Sequence, residues 1–218
     1  MDSLPTVFHE QLCAGLSKYT LLDLASLWTF GRLPSLAKRY FNGRFYYCLY
    51  LEKAGKMDEF SSKPHGLIPQ NYKFCISIEV FISDSHFNMD PSLKTRLFGL
   101  QRHCGITLQL NCTKLSPKLL DLFLRFNVTR IHCCRRYKEA AFEALFPFLT
   151  KPGFKSLSAQ KDLVFENPRL VKFWKANAET MKGKKIYATF GFAGRERYDL
   201  TTEGGYRMTS DSKYVYFN

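Results

Sequence analysis

The sequence predicts an α/β protein: a helical segment at the N-terminus, then a stack of strand-helix units whose strands form a largely parallel sheet. Three observations carry this. Ile76, Ile78, Val80 and Ile82 alternate with Ser77, Glu79 and Phe81, and Ile106, Leu108 and Leu110 alternate with Thr107 and Gln109, the period of two that gives a strand one buried face. A helix start succeeds each strand, marked by Asp90-Pro91, Ser116-Pro117 and Asn167-Pro168, a capping side chain and then proline at the first helical position. The unit recurs every ~23 to 30 residues, the footprint of a stack in which each unit buries its apolar face against its neighbours.

Taken in order, Leu4 and Pro5 open the chain, and Val7, Phe8, Leu12 and Leu16 come at three- to four-residue spacing, which stacks side chains along a helix. Thr20-Leu21-Leu22-Asp23 has the form of a capping box, with Asp where Glu or Gln is usual. Leu21, Leu24, Leu27 and Trp28 then make a second apolar stripe, which Gly31-Arg32-Leu33-Pro34 ends. The aromatic run from Arg39 to Leu51 is expected to pack these helices onto the rest of the chain, partly as a short strand. Residues 55–72 carry Gly, Ser, Pro and charge without a sustained period and read as a linker. The expected organisation is therefore a helical domain over 1–54, a linker over 55–72 and an α/β repeat domain over 73–218.

Within the last segment, Leu93, Leu97 and Leu100 continue one helical face to Gly105, which is expected to end that helix. A second helix is expected from Pro117 to Phe126. A third unit runs from the strand Val128–Cys133 into a helix from Tyr137 to Leu149, stopped near Pro152-Gly153. A fourth joins a strand over Phe154–Ser158 to a helix from Asn167 to about Met181, and further strands lie at Lys185–Phe192 and Lys213–Phe217. Short connections favour parallel pairing of consecutive strands. The Leu-x-Leu strands resemble degenerate leucine-rich repeats, with the asparagine that comes after the strand in that family met at Asn111. An ordinary α/β sandwich with a mixed sheet is the competing architecture.

The order at the N-terminus, Leu-Pro, an apolar helix ending in Leu, a cap and a second Leu-rich helix, resembles the F-box family over roughly the first thirty residues. That resemblance implies docking on the Skp-type adaptor of a cullin-RING ubiquitin ligase, with Leu4, Pro5, Val7, Leu12, Leu16, Leu21, Leu24 and Leu27 as the contact or packing set. It also implies a substrate receptor that performs no chemistry itself and raises the local concentration of a target protein near the transfer machinery.

Composition is consistent with a folded protein, at 45% hydrophobic and 16% aromatic residues. No apolar run approaches the ~20 residues needed to cross a bilayer and no signal peptide pattern is present, so an intracellular protein, cytoplasmic or nuclear, is expected, with no membrane partner. Seven cysteines are scattered through apolar segments, the usage of reduced thiols and not of a disulfide framework. None forms the C-x-x-C spacing of a zinc site, and adjacent Cys133 and Cys134 point to opposite faces of a strand. The formal net charge of +13, from 32 Lys and Arg against 19 Asp and Glu, favours acidic partners and weak nonspecific nucleic-acid binding.

Catalytic constellations fail on spacing. His132-Cys133 lacks the arginine and glycines of a thiol-phosphatase loop, with Glu139 where the arginine is needed. Thr202-Glu203-Gly204-Gly205-Tyr206 has no Lys-Ser or Lys-Thr after it and reads as a hairpin turn. No nucleophile elbow, zinc-protease motif or dinucleotide fingerprint occurs, and no metal or cofactor is implied. Target binding is expected on the outward strand positions Glu79, Gln109, Arg130, His132, Lys155 and Tyr187, which parallel stacking would bring into one transverse row. Two other functions compete: a stand-alone interaction module whose first helices only cap the repeat stack, and a basic nucleic-acid-binding protein.

Overall fold

The computed structural model of the chain describes residues 5–27, 32–52, 57–62, 72–84, 89–112, 114–135, 137–159, 168–188, 198–203, 206–210 and 214–217. It opens with three helices, α1 (Thr6–Gly15), α2 (Lys18–Leu27) and α3 (Arg32–Gly43). Pro5 sits at the N-cap of α1 with φ −56° and ψ 143°, where its missing N–H costs nothing. The cap of α2 is Ser17, whose Oγ accepts from the Thr20 amide at 3.1 Å. The helix thus starts one turn before the expected Thr20 box, because Ser17 offers an equally good acceptor earlier in the chain. Pro34 lies in the first turn of α3, where amides have no intrahelical partner, so it starts a third helix in place of more loop.

The strands form one ten-stranded sheet in the order β2-β1-β3-β4-β5-β6-β7-β10-β9-β8. They are β1 (Phe45–Leu51), β2 (Met57–Ser61), β3 (Cys75–Ile82), β4 (Ile106–Leu110), β5 (Val128–Cys133), β6 (Ser156–Ala159), β7 (Lys185–Ala188), β8 (Tyr198–Glu203), β9 (Tyr206–Ser210) and β10 (Tyr214–Phe217). Adjacent pairs along β1-β3-β4-β5-β6-β7 are all parallel. The chain is therefore α/β with a mostly parallel sheet. β2 adds antiparallel to β1 at one edge; β10, β9 and β8 add antiparallel beyond β7. Glu203 of β8 pairs antiparallel with Tyr206 of β9, and the glycines expected to turn between them lie outside the described residues. The sheet runs across the expected linker, since β1 pairs with β3 and residues 57–61 form β2.

Helices α4 (Pro91–Leu100), α5 (Pro117–Leu124), α6 (Glu139–Glu143), α7 (Phe146–Leu149) and α8 (Pro168–Met181) connect the parallel strands. Asp90 caps α4, its carboxylate accepting from the Leu93 amide at 3.0 Å with Pro91 next, and Leu93, Leu97 and Leu100 are buried as their spacing predicts. The single helix expected over Tyr137–Leu149 is instead α6 and α7, because Pro147 has no N–H to give to a carbonyl one turn back. Gly105 does not cap α4, which ends at Leu100. Its role is close approach: a Cβ there would overlap Thr129 Cγ2.

One face of the sheet is sealed by the helices. Tyr47, Leu49, Leu51, Ile78, Val80, Ile82, Leu108, Ile131, Leu157 and Ile186 are fully buried in a single core with Leu97, Phe123, Phe142 and Trp174, and each such aliphatic side chain stabilises by about 1.5–3 kcal/mol. Ile76 is the exception among the period-two residues of β3. A bulge there, where Phe45 pairs with Cys75 and Tyr46 with Ser77, resets the alternation, so Cys75 turns inward and Ile76 outward.

A shared device closes three helix C-termini. Arg44 donates to the carbonyls of Cys13, Ala14 and Leu16 after α1, Lys151 to Leu124 and Phe126 after α5, and Lys184 to Leu149 and Lys151 after α7. Each places a cation where orphan carbonyls and the helix dipole favour one. Burial holds the Lys151 and Lys184 ammonium groups below the ordinary lysine value.

Candidate interaction surfaces

The expected adaptor residues divide by helical face. α1 turns His9 and Cys13 into the core with Leu16 packed beside them, so its other face is left to solvent: Val7 is 63% exposed, Phe8 48% and Leu12 38%, beside an exposed Pro5. α2 behaves alike, with Leu21 fully buried, Leu24 half-buried against the core and Leu22 48% exposed. Leu21 is thus a packing residue and cannot touch a partner, and Leu16 and Leu24 mainly hold the helices to the core. Leu4 and the side chain of Leu27 lie outside the described residues. Phe8 and Leu22 belong to the exposed apolar face although the family pattern does not select them. Their signal is the apolar residue left over once a stripe at i and i+4, His9 with Cys13, is assigned to the core.

The second face of the sheet carries the expected target row as two rows. Paired positions place Cys48, Glu79, Thr107, Arg130, Ser156 and Lys185 in one. The next holds Tyr50, Phe81, Gln109, His132, Ser158 and Tyr187. Glu79 and Arg130 therefore share a row but sit two strand spacings apart, about 9–10 Å, and Gln109, His132 and Tyr187 share the other. Lys155 belongs to neither. β6 begins at Ser156, so Lys155 falls one position before it and on the opposite parity, while Ser156 and Ser158 occupy the row sites. Four residues are too few for alternation to reveal its phase.

Exposure and charge grade across this face. Tyr46, Phe60, Arg130 and Lys185 are exposed, Glu79, Gln109, His132 and Tyr187 half-buried, and Ser156 and Ser158 buried. Tyr50 and Phe81 stack with centroids 4.6 Å apart and planes 8° from parallel, a flat apolar platform beside the polar rows. Burial, and next the positive charge of Arg130, depress the His132 pKa below the ordinary histidine value, with Glu79 acting in the opposite sense. His132 is consequently neutral at pH 7 and offers one donor and one acceptor. Beyond the strand ends Arg135 donates to the Asn111 side-chain carbonyl at 2.7 Å, tying β4 to β5 at the position that matches the leucine-rich pattern.

A half-exposed face with an aromatic platform, a neutral imidazole, an amide and separated charges is suited to a polar protein segment bearing both signs of charge. Among the described residues no three His, Cys, Asp or Glu side chains converge so as to hold a metal ion, and no helix is long and apolar enough to cross a membrane. No family model matches the chain, and no curated protein or solved structure matches it either.

Proposed function

We propose that the chain is an F-box-type substrate receptor with leucine-rich-like repeats: α1 and α2 seat on the Skp-type adaptor of a cullin-RING ubiquitin ligase, and the half-exposed sheet face holds a target protein. The observation that supports this most is the solvent exposure of the apolar residues Pro5, Val7, Phe8 and Leu12 on α1 and of Leu22 on α2. Helices that served only to cap the repeat stack would need one apolar stripe, facing the core. α1 and α2 already have that stripe in Cys13 and Leu21, so the second apolar face calls for a partner. The sheet face supports the receptor half of the reading, because parallel strands bring residues distant in sequence into one recognition surface.

Calorimetric titration of the intact chain with recombinant adaptor tests this, using Val7→Ala with Leu12→Ala. Loss of interface anchors can cost ~2 kcal/mol or more, about thirtyfold in affinity. Absence of binding by the parent, or equal binding by a folded double variant, removes the ligase role and leaves a stand-alone interaction module.

A further inference from the structure

A second site lies where the N-terminal helices meet the sheet. Cys75 opens β3 immediately after the turn Tyr72–Phe74, and Cys104 lies in the connection from α4 to β4. The parallel pairing of Ile78 with Ile106 brings these two positions side by side at the same end of neighbouring strands. The β3 bulge turns Cys75 inward. Both side chains line a cleft of about 130 Å³ that is also bounded by Tyr40 and Arg44 from the α3 side and by His103. Both thiols are free. The Cys75 thiol donates to the Ser77 carbonyl at 3.4 Å, and Cys75 and Cys104 are near enough to influence each other. Cys75 is buried and Cys104 is partly open to solvent.

We propose that Cys75 and Cys104 form a dithiol site that hydrogen peroxide oxidises to a disulfide, locking the start of β3 to the loop before β4. The roles come from position. Cys104 is the sulfur a small oxidant can reach through the cleft, whereas Cys75 is buried, and the neighbouring Cys75 holds the Cys104 thiol below its ordinary pKa; a reachable thiolate is the attacking species. The Cys104 thiolate attacks one peroxide oxygen, the O–O bond breaks, and hydroxide leaves and takes up a proton, giving a sulfenic acid and water. Cys75 then attacks the Cys104 sulfur as its own proton passes to the departing hydroxyl. The S–S bond forms, the S–O bond breaks and a second water leaves. Two thiols lose two hydrogens in all, and one hydrogen peroxide is reduced.

The other five cysteines lack this arrangement. Burial raises Cys13, Cys112 and Cys133, and Cys133 and Cys134, adjacent in sequence, lie on opposite sides of the sheet, one buried and one exposed. Burial likewise raises Cys48, and the Glu79 carboxylate raises it further. Cys112 and Cys133 are near enough to influence each other, which makes them the internal control pair.

The test treats the intact reduced chain with hydrogen peroxide at a dose that oxidises free cysteine, removes the peroxide, unfolds the chain in urea with iodoacetamide to block remaining thiols and maps peptides by mass spectrometry. The expected result is a linked Cys75–Cys104 peptide pair that dithiothreitol separates, with the remaining five cysteines alkylated. With dimedone present at early times, the adduct is expected on Cys104 in the parent and to accumulate in Cys75→Ser, which has no resolving thiol. Should that variant not fold, the early adduct on the parent chain decides alone. Alkylation of both Cys75 and Cys104 after treatment overturns the site, as does a linked pair at Cys112 and Cys133 in its place. A dimedone adduct on Cys75 overturns the assigned order.

Discussion

Replacing Gly105 with Ala probes the packing between the neighbouring strands β4 and β5. The added Cβ would overlap Thr129 Cγ2 and lie 2.7 Å from its Oγ1 and 3.0 Å from its Cβ. Thr129 cannot retreat freely. It is the extra residue of a bulge, since Ile106 pairs with Val128 and Thr107 with Arg130. Its carbonyl accepts from the Lys155 amide at 2.7 Å, and its hydroxyl reaches the Ile106 carbonyl at 3.4 Å. Gly105 is not among the positive-φ glycines, so Gly→Ala would by itself stabilise by about 0.4–1 kcal/mol through the unfolded chain. Overpacking costs about 1–3 kcal/mol. The clash wins, with a net loss of about 1–2 kcal/mol and a fall in Tm of about 2–8 °C for a chain of this size. Thr129→Ala removes the two closest atoms, so the double variant should recover about 1 kcal/mol or more relative to additivity. Urea unfolding of the four proteins measures this cycle. A Gly105→Ala protein within about 0.5 kcal/mol of the parent, or strictly additive losses, would refute the close approach of β4 to β5.

Lys184→Met should destabilise by about 1.5–3 kcal/mol, the worth of hydrogen bonds from a charged group, because the Leu149 and Lys151 carbonyls lose their donor; an unchanged urea midpoint would count against the helix-closing role. The depressed His132 pKa means that the unfolded chain binds more protons at that site, so its contribution to stability is complete above pH ~6.5 and is lost as pH falls toward and through the folded value. His132→Gln should remove that part of the Tm decline on acidification, and an identical pH profile would contradict it. Random duplex DNA should bind weakly and release near physiological salt, as expected for dispersed positive charge; submicromolar affinity at that salt, measured by fluorescence anisotropy, would favour a nucleic-acid function.

The parallel sheet is legible in the sequence because its central strands are long enough to show a period and their helices begin with side-chain-Pro signals. β5 occurs over the expected Val128–Cys133, and Asp90 caps α4 as its Asp-Pro pair predicts. The failures have local causes. The Ile76 bulge depends on the partner strand, which period-two reading does not contain. Lys155 falls off the target rows because β6 has only four residues, all buried, and starts after it. In α1 the inward residues are His9 and Cys13, which the apolar spacing of Val7, Phe8, Leu12 and Leu16 does not single out. The antiparallel β10 comes after a long excursion through β8 and β9, and no local pattern sets the direction of return. On the sheet face, residue identity is readable but row membership is not, because register is a property of two strands at once.

The central claim, that α1 and α2 form the adaptor surface while the sheet face stays free for a target, is tested most directly by amide hydrogen exchange of the intact chain with and without the Skp-type adaptor. Docking on the face of Val7, Phe8, Leu12 and Leu22 should slow exchange in α1 and α2, through residues 6–27. The amides of β3, β4 and β5 should be unchanged, and Arg130→Glu on the sheet face should leave that footprint intact. Protection centred on the sheet strands, or no protection at adaptor concentrations well above micromolar, would contradict the account.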